Sequence, residues 1–264
     1  MKNSFFSSFG ATCALLLAFS GRAALGQDWA KARLEKSSRH GEWVQVKHGD
    51  RTIKAFVVYP ESKDKTSVLL VIHEIFGLTD WVRSLEDQIA EAGYIAIAPD
   101  LLSGQTFSDI DEARKAISGL PKQQVAADLD ATADYALKLP AGNGRLAACG
   151  FCWGGDATFA YANRNPKLKT AYVFYGTGPS EARDVVRIPC PVYGFYGEND
   201  ARVNATIPRS EELMQAAGKK FEPMIYAGAG HGFMREGEAP DALPASRKAR
   251  DDAWVRWKSL LKQL

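Results

Sequence analysis

Cysteine, aspartate and histidine are the residue types of covalent acyl transfer, and this chain carries one of each in a setting that suits it. Cys152 lies in Gly150-Phe151-Cys152-Trp153-Gly154-Gly155, after the apolar run 145–149 and before a small-residue stretch, 156–160, able to form a helix. The pattern G-x-C-x-G is that of a nucleophile elbow with cysteine in the usual place of serine. A sharp strand-to-helix turn forces the central residue into strained backbone geometry, and glycines flank it because side chains would clash there. A thiol so placed stands clear of the sheet and faces the positive end of the helix dipole. The hexapeptide alone also fits a glycine-rich turn around a buried, inert cysteine.

Downstream, Asp200 ends Gly197-Glu198-Asn199-Asp200, and His231 sits in Gly228-Ala229-Gly230-His231-Gly232. Each taken alone reads equally as a turn or loop residue. Together they supply what a cysteine nucleophile needs. An imidazole takes the thiol proton and later gives it to the leaving group, and a carboxylate fixes the imidazole tautomer and stabilises its charged form. His40 and His48, in the polar N-terminal part, read as surface residues. His73-Glu74-Ile75-Phe76-Gly77 is not a zinc H-E-x-x-H because Gly77 occupies the fifth position, and no other cluster suggests a metal. The segment instead suits an oxyanion loop. There the backbone amide of Ile75 would join that of Trp153, each donor being worth roughly 3–4 kcal/mol.

These residues need a scaffold, and the hydropathy pattern supplies one. Residues 42–48 and 52–59 alternate apolar and polar around the turn pair Gly49-Asp50, which predicts a hairpin. Residues 67–72, 94–98, 145–149, 171–175 and 191–196 are continuously apolar, the mark of strands buried on both faces, and a last strand falls at 221–226. Helical patterns occupy 79–92, 121–138, 206–217 and 244–262. Leu85, Ile89 and Ala92 mark the first stripe; Val125, Leu129, Ala133 and Ala136 the second; Trp254, Trp257 and Leu261 the last. Pro121 stands at a helix start. Residues 28–41 read as an exposed, charged lead-in. Alternating strands and helices predict an α/β architecture, a mostly parallel sheet with helices on both faces, whose ligands sit at the carboxyl ends of the strands. Cys152, Asp200 and His231 each fall at such an end, in the chain order of an α/β-hydrolase.

With these motifs in place the chain resembles the dienelactone hydrolase (carboxymethylenebutenolidase) family. The resemblance rests on His73-Glu74-Ile75-Phe76-Gly77, Ala98-Pro99-Asp100-Leu101-Leu102, the elbow hexapeptide, Gly197-Glu198-Asn199-Asp200 and the segment from His231 to Arg235, and runs from about residue 40 to the C-terminus. It implies an α/β-hydrolase fold and a cofactor-free opening of lactones or small esters through an acyl-cysteine. It carries the nucleophile onto Cys152, the acid onto Asp200 and the base onto His231. It further implies that Glu74 holds and then deprotonates the resting thiol, keeping it from oxidation, and that Arg235 helps bind a substrate carboxylate. A plain Glu74–Arg235 ion pair is the alternative. A second family arginine has no counterpart, because Gly104 occupies its place; Arg83 and Arg202 are the candidates to replace it.

Composition bounds the rest. The chain has 264 residues, 46% hydrophobic and 24% charged, with a formal charge of +2. That suits one globular domain, expected over 27–264, and no basic patch points to nucleic acid. Lys2, the apolar run 11–19 and the small residues to Gly26 have the order of a cleavable signal peptide, 1–26, which predicts a periplasmic or secreted protein with no lasting membrane association. Cys149, Cys152 and Cys190 would remain, an odd number that argues against a disulfide framework. Cys149 and Cys152 also form C-x-x-C. A thiol–disulfide protein is thus one alternative, and a non-catalytic binding protein on the same fold another. The expected partner is a small lactone or ester.

Overall fold

A computed structural model describes residues 27–264; the expected leader, 1–26, lies outside the described residues. The chain forms α1 (Asp28–Lys36), β1 (Gly41–His48), β2 (Arg51–Val58), β3 (Thr66–Ile72), α2 (Asp80–Glu91), β4 (Ile95–Pro99), α3 (Ile110–Ser118), α4 (Lys122–Ala136), β5 (Gly142–Phe151), α5 (Trp153–Arg164), β6 (Leu168–Phe174), β7 (Val192–Gly197), α6 (Ala201–Asn204), α7 (Ile207–Ala216), β8 (Phe221–Tyr226), α8 (Phe233–Glu236) and α9 (Pro244–Leu261).

One eight-stranded sheet runs in the order β1-β2-β4-β3-β5-β6-β7-β8. The hairpin β1–β2 adds antiparallel to β4, and every pair from β4 to β8 is parallel. Parallel strands need long crossovers, and helices fill them. The apolar runs are continuous because both sheet faces are covered. On β3, Leu69 and Val71 point to the layer with α2 and α9, where Trp81, Leu85, Ile89, Trp257 and Leu261 are buried. Val68, Leu70 and Ile72 point to the other layer, with Val125, Leu129, Ala133 and Ala136 of α4 and Leu213 of α7. The helical stripes read from the sequence are the ones that pack, except Ala92, which ends α2 half-buried and outside the core. Among the described residues no helix is long and apolar enough to cross a membrane.

Two readings need correction. The segment 28–41 is not simply an exposed lead-in, because α1 forms there and buries Ala30 against the α2 layer. Arg39 Nε and Nη2 donate to Asp87 of α2 at 2.8 and 2.7 Å. Arg33 Nη1 donates to the buried Glu238 at 3.0 Å. These long-range pairings leave no periodic trace in a nine-residue charged stretch. His48 is likewise more than a surface residue. Its Nε2 lies 2.6 Å from Asp128 of α4, which also accepts Arg51 Nε at 2.9 Å, so the pair ties the end of the hairpin to the body.

Candidate active site

The register Ile72↔Gly150 sets the end of β3 beside the end of β5, and Gly150↔Val173 sets β5 beside β6. At this junction the chain turns sharply from β5 into α5. Cys152 has φ 57° and ψ −122°, a conformation L-residues avoid. It is held there from both sides: its N–H donates to Phe174 O at 3.0 Å, and its carbonyl accepts from Gly155 and Asp156 at 2.9 and 3.2 Å. Surroundings that over-determine a strained residue are typical of active sites. A Cβ on Gly150 would meet Gly154 O at 2.0 Å, and one on Gly154 would meet Ile72 O at 2.2 Å, which explains both glycines. The Cys152 side chain is half-buried and packs at the edge of the α2–α9 core layer.

Asp200 follows β7 and is 7% exposed; its Oδ1 accepts from Val203 N at 3.4 Å. His231 follows β8. The two loops are tied by Asn199 N to Ala229 O at 2.8 Å and by Gly228 N to Glu198 Oε2 at 2.8 Å. This joins His231 Nδ1 to Asp200 Oδ2 at 2.5 Å, so Nδ1 carries a proton and Nε2 is the nitrogen left for Cys152. The Cys152 side chain lies within electrostatic reach of His231. Burial alone would lower the imidazole pKa, but Asp200 on Nδ1 and the nearby Cys152 outweigh it and raise it from 6.5 to about 10. Its stabilising contribution is therefore complete below pH 6.5 and fades as pH rises toward 10.

Glu74 is 3% exposed and is engaged on both oxygens: Arg235 Nε donates at 2.8 Å to Oε2, and Tyr175 OH donates at 3.3 Å to Oε1. The Arg235 guanidinium lies 5.3 Å from the Phe76 ring centroid, and Glu236 Oε1 is 3.8 Å from its Nη2. Tyr175 went unread in the sequence. It is buried with φ 40°, and its ring stands edge-on to His231 at 5.1 Å. Its only sequence signal is an aromatic residue between the end of β6 and Gly176. Ile75 and Trp153 lie on the two segments that meet at the junction. Neither backbone N–H has a hydrogen-bond partner among the described residues.

The candidates for the missing arginine separate. Arg83 pairs with Asp80, stacks near Trp43 and Phe56, and lines a cleft of about 1000 Å³ together with Gly104. Cys152, Asp200 and His231 do not line that cleft. Arg202 is exposed at the start of α6, two residues after Asp200, within electrostatic reach of Asp156. Among the described residues no group of histidine, cysteine and carboxylates is arranged to hold a metal.

His73 is fully buried and donates from Nδ1 to Glu74 O at 2.6 Å. Burial lowers its pKa from 6.5 to about 4, so the native ring is neutral. The unfolded chain binds a proton near 6.5 and the native chain only near 4. Stability thus falls as pH drops through that window. Against a His73→Asn variant, the parent is expected to lose about 2 kcal/mol more between pH 7 and pH 4.5. Chemical denaturation at the two pH values measures it, and equal losses would contradict a neutral buried ring.

A mostly parallel sheet with a strained residue at the turn from β5 into α5, an acid after β7 and a histidine after β8, defines an α/β-hydrolase. The sequence signature of the dienelactone hydrolase family matches residues 53–264. A protein of Methylorubrum extorquens AM1 named "Putative carboxymethylenebutenolidase" is 33% identical over 237 residues, covering 83% of this chain and 80% of that one. An Escherichia coli K12 protein of the same name is 33% identical over 226 residues, covering 79% and 82%. The crystal structure of a "Putative Dienelactone Hydrolase" from Klebsiella pneumoniae superposes with a TM-score of 0.77 at 28% identity, covering 86% of this chain and all of that one. The chain belongs to the dienelactone hydrolase family and is a hydrolase.

Proposed function

We propose that this hydrolase opens lactones or small carboxylic esters through an acyl-cysteine on Cys152. The observation that carries the reading is the strained Cys152 within electrostatic reach of His231, whose Nδ1 is held by Asp200 at 2.5 Å. Cys152 Sγ attacks the carbonyl carbon with its proton held on His231 Nε2, in the charged ring that Asp200 supports. The carbonyl oxygen becomes an oxyanion facing the amides of Ile75 and Trp153. As it collapses, the carbon–oxygen single bond breaks and His231 Nε2 protonates the departing alkoxide. Water, deprotonated by His231, then attacks the thioester, releasing the carboxylic acid and restoring the thiol. No step needs a cofactor or a metal.

Glu74 is the group that would guard the resting thiol, and that task requires it to leave Arg235 and Tyr175. Arg235 spends Nε on Glu74, so its terminal nitrogens are the ones to meet a substrate carboxylate. A panel of lactones and esters with and without a free carboxylate tests this. The carboxylated members are expected to be favoured about tenfold or more in kcat/KM, the worth of one charge-assisted hydrogen bond. Equal values across the panel would reduce Arg235 to a structural partner of Glu74.

A redox role for Cys149–Cys152 has little support. Cys149 is 0% exposed inside β5, and burial, with Glu86 nearby, pushes its thiol well above the usual range. Both cysteines are free thiols. A thiol so buried is inert toward exchange.

A further inference from the structure

We propose that His73 is the positioning residue of the oxyanion hole, acting through the peptide between Glu74 and Ile75. This rests on the hydrolytic reading above. The Glu74 carbonyl accepts two hydrogen bonds, from His73 Nδ1 at 2.6 Å and from Gly77 N at 3.3 Å. A trans peptide is planar, with its C=O and N–H pointing in opposite directions. Pinning the Glu74 oxygen therefore aims the Ile75 N–H away from the imidazole and fixes it. Without the imidazole, one long bond from Gly77 would hold a loop peptide free to rotate.

Three further observations place His73 in this role. Its ring is completely buried, with an unpartnered Nε2 among the described residues, so no stronger partner competes for the side chain. Its ring centroid lies 5.8 Å from that of Trp153, the residue supplying the second amide, so the side chains beside the two donors rest on each other. Its backbone abuts the elbow, since a Cβ on Gly154 would come within 2.4 Å of His73 O. The neutral tautomer is essential: Nδ1 must donate, and the buried, unpartnered Nε2 stays unprotonated.

The test compares His73→Phe, which keeps a buried ring on Trp153 but removes the donor, with His73→Asn, whose amide nitrogen lies close to the position of Nδ1. Two reactions are measured on each. Ester hydrolysis builds an oxyanion; alkylation of Cys152 by iodoacetamide, a displacement at a saturated carbon, does not. For His73→Phe, kcat is expected to fall roughly 10- to 300-fold. KM and the rate and pH profile of alkylation should stay within about twofold, because the thiol and His231 are untouched. His73→Asn should recover kcat to within about fivefold of the parent. Unchanged kcat in His73→Phe overturns the proposal. Equal loss of hydrolysis and alkylation also overturns it, by making His73 a packing residue. If even the parent hydrolyses no ester, the functional reading itself falls and this inference with it, an outcome distinct from an active parent with an indifferent His73.

Discussion

Replacing Cys152 with alanine is expected to lower kcat for a small aryl ester by roughly a thousandfold or more, with the fold and melting temperature intact. The magnitude follows from the role. Removing a covalent nucleophile abolishes the route through the acyl-enzyme, and only binding and the oxyanion donors remain to assist direct attack by water. Alanine should not disturb the turn, because the strain lies in the backbone at φ 57° and a Cβ is already present. The side chain is half-buried at the rim of the core, so little packing is lost. Steady-state kinetics with a calorimetric melt on the same preparation checks both halves. A variant retaining the parent rate would show that the sulfur is not the attacking atom.

The second large effect is structural. A methyl group on Gly154 would stand 2.2 Å from Ile72 O and 2.4 Å from His73 O, both backbone oxygens at the end of β3. No side chain can rotate away to relieve this, so α5 would have to lift from the sheet and take Cys152 with it. Overpacking against backbone belongs to the severe end of point mutations, about 4 kcal/mol. In a chain of this size that corresponds to a fall in melting temperature of roughly 8–16 °C. Activity should disappear as well, since the elbow and both oxyanion donors share this junction. Gly119→Ala is the control: φ is −79° and the nearest atom stands 3.4 Å from the added methyl group, so stability should be little changed. A Gly154→Ala protein as stable as that control would refute the account of why the elbow carries glycine.

The sequence exposed the scaffold wherever local pattern and tertiary environment agree. The apolar runs of β3, β4 and β6 are unbroken because helices cover both faces of the sheet. Cys152, Asp200 and His231 were readable because each sits at a strand end marked by glycine or a turn. What escaped is the set of residues defined by partners distant in the chain. Tyr175 reaches Glu74 across 101 residues, and His48 reaches Asp128 across 80. α1 and the residues just after it are held by Arg33 on Glu238 and Arg39 on Asp87 rather than by an apolar stripe. His73 was placed correctly at the end of a strand, but its neighbours in sequence do not show that its ring turns back onto the next carbonyl.

The central claim, that the acyl group is carried on the sulfur of Cys152, is read most directly by mass spectrometry of enzyme acid-quenched during ester turnover. One acyl adduct per chain is expected on Cys152, none on Cys149 or Cys190, and none in Cys152→Ala. Full turnover with that cysteine unmodified and the acyl group on another side chain would contradict it.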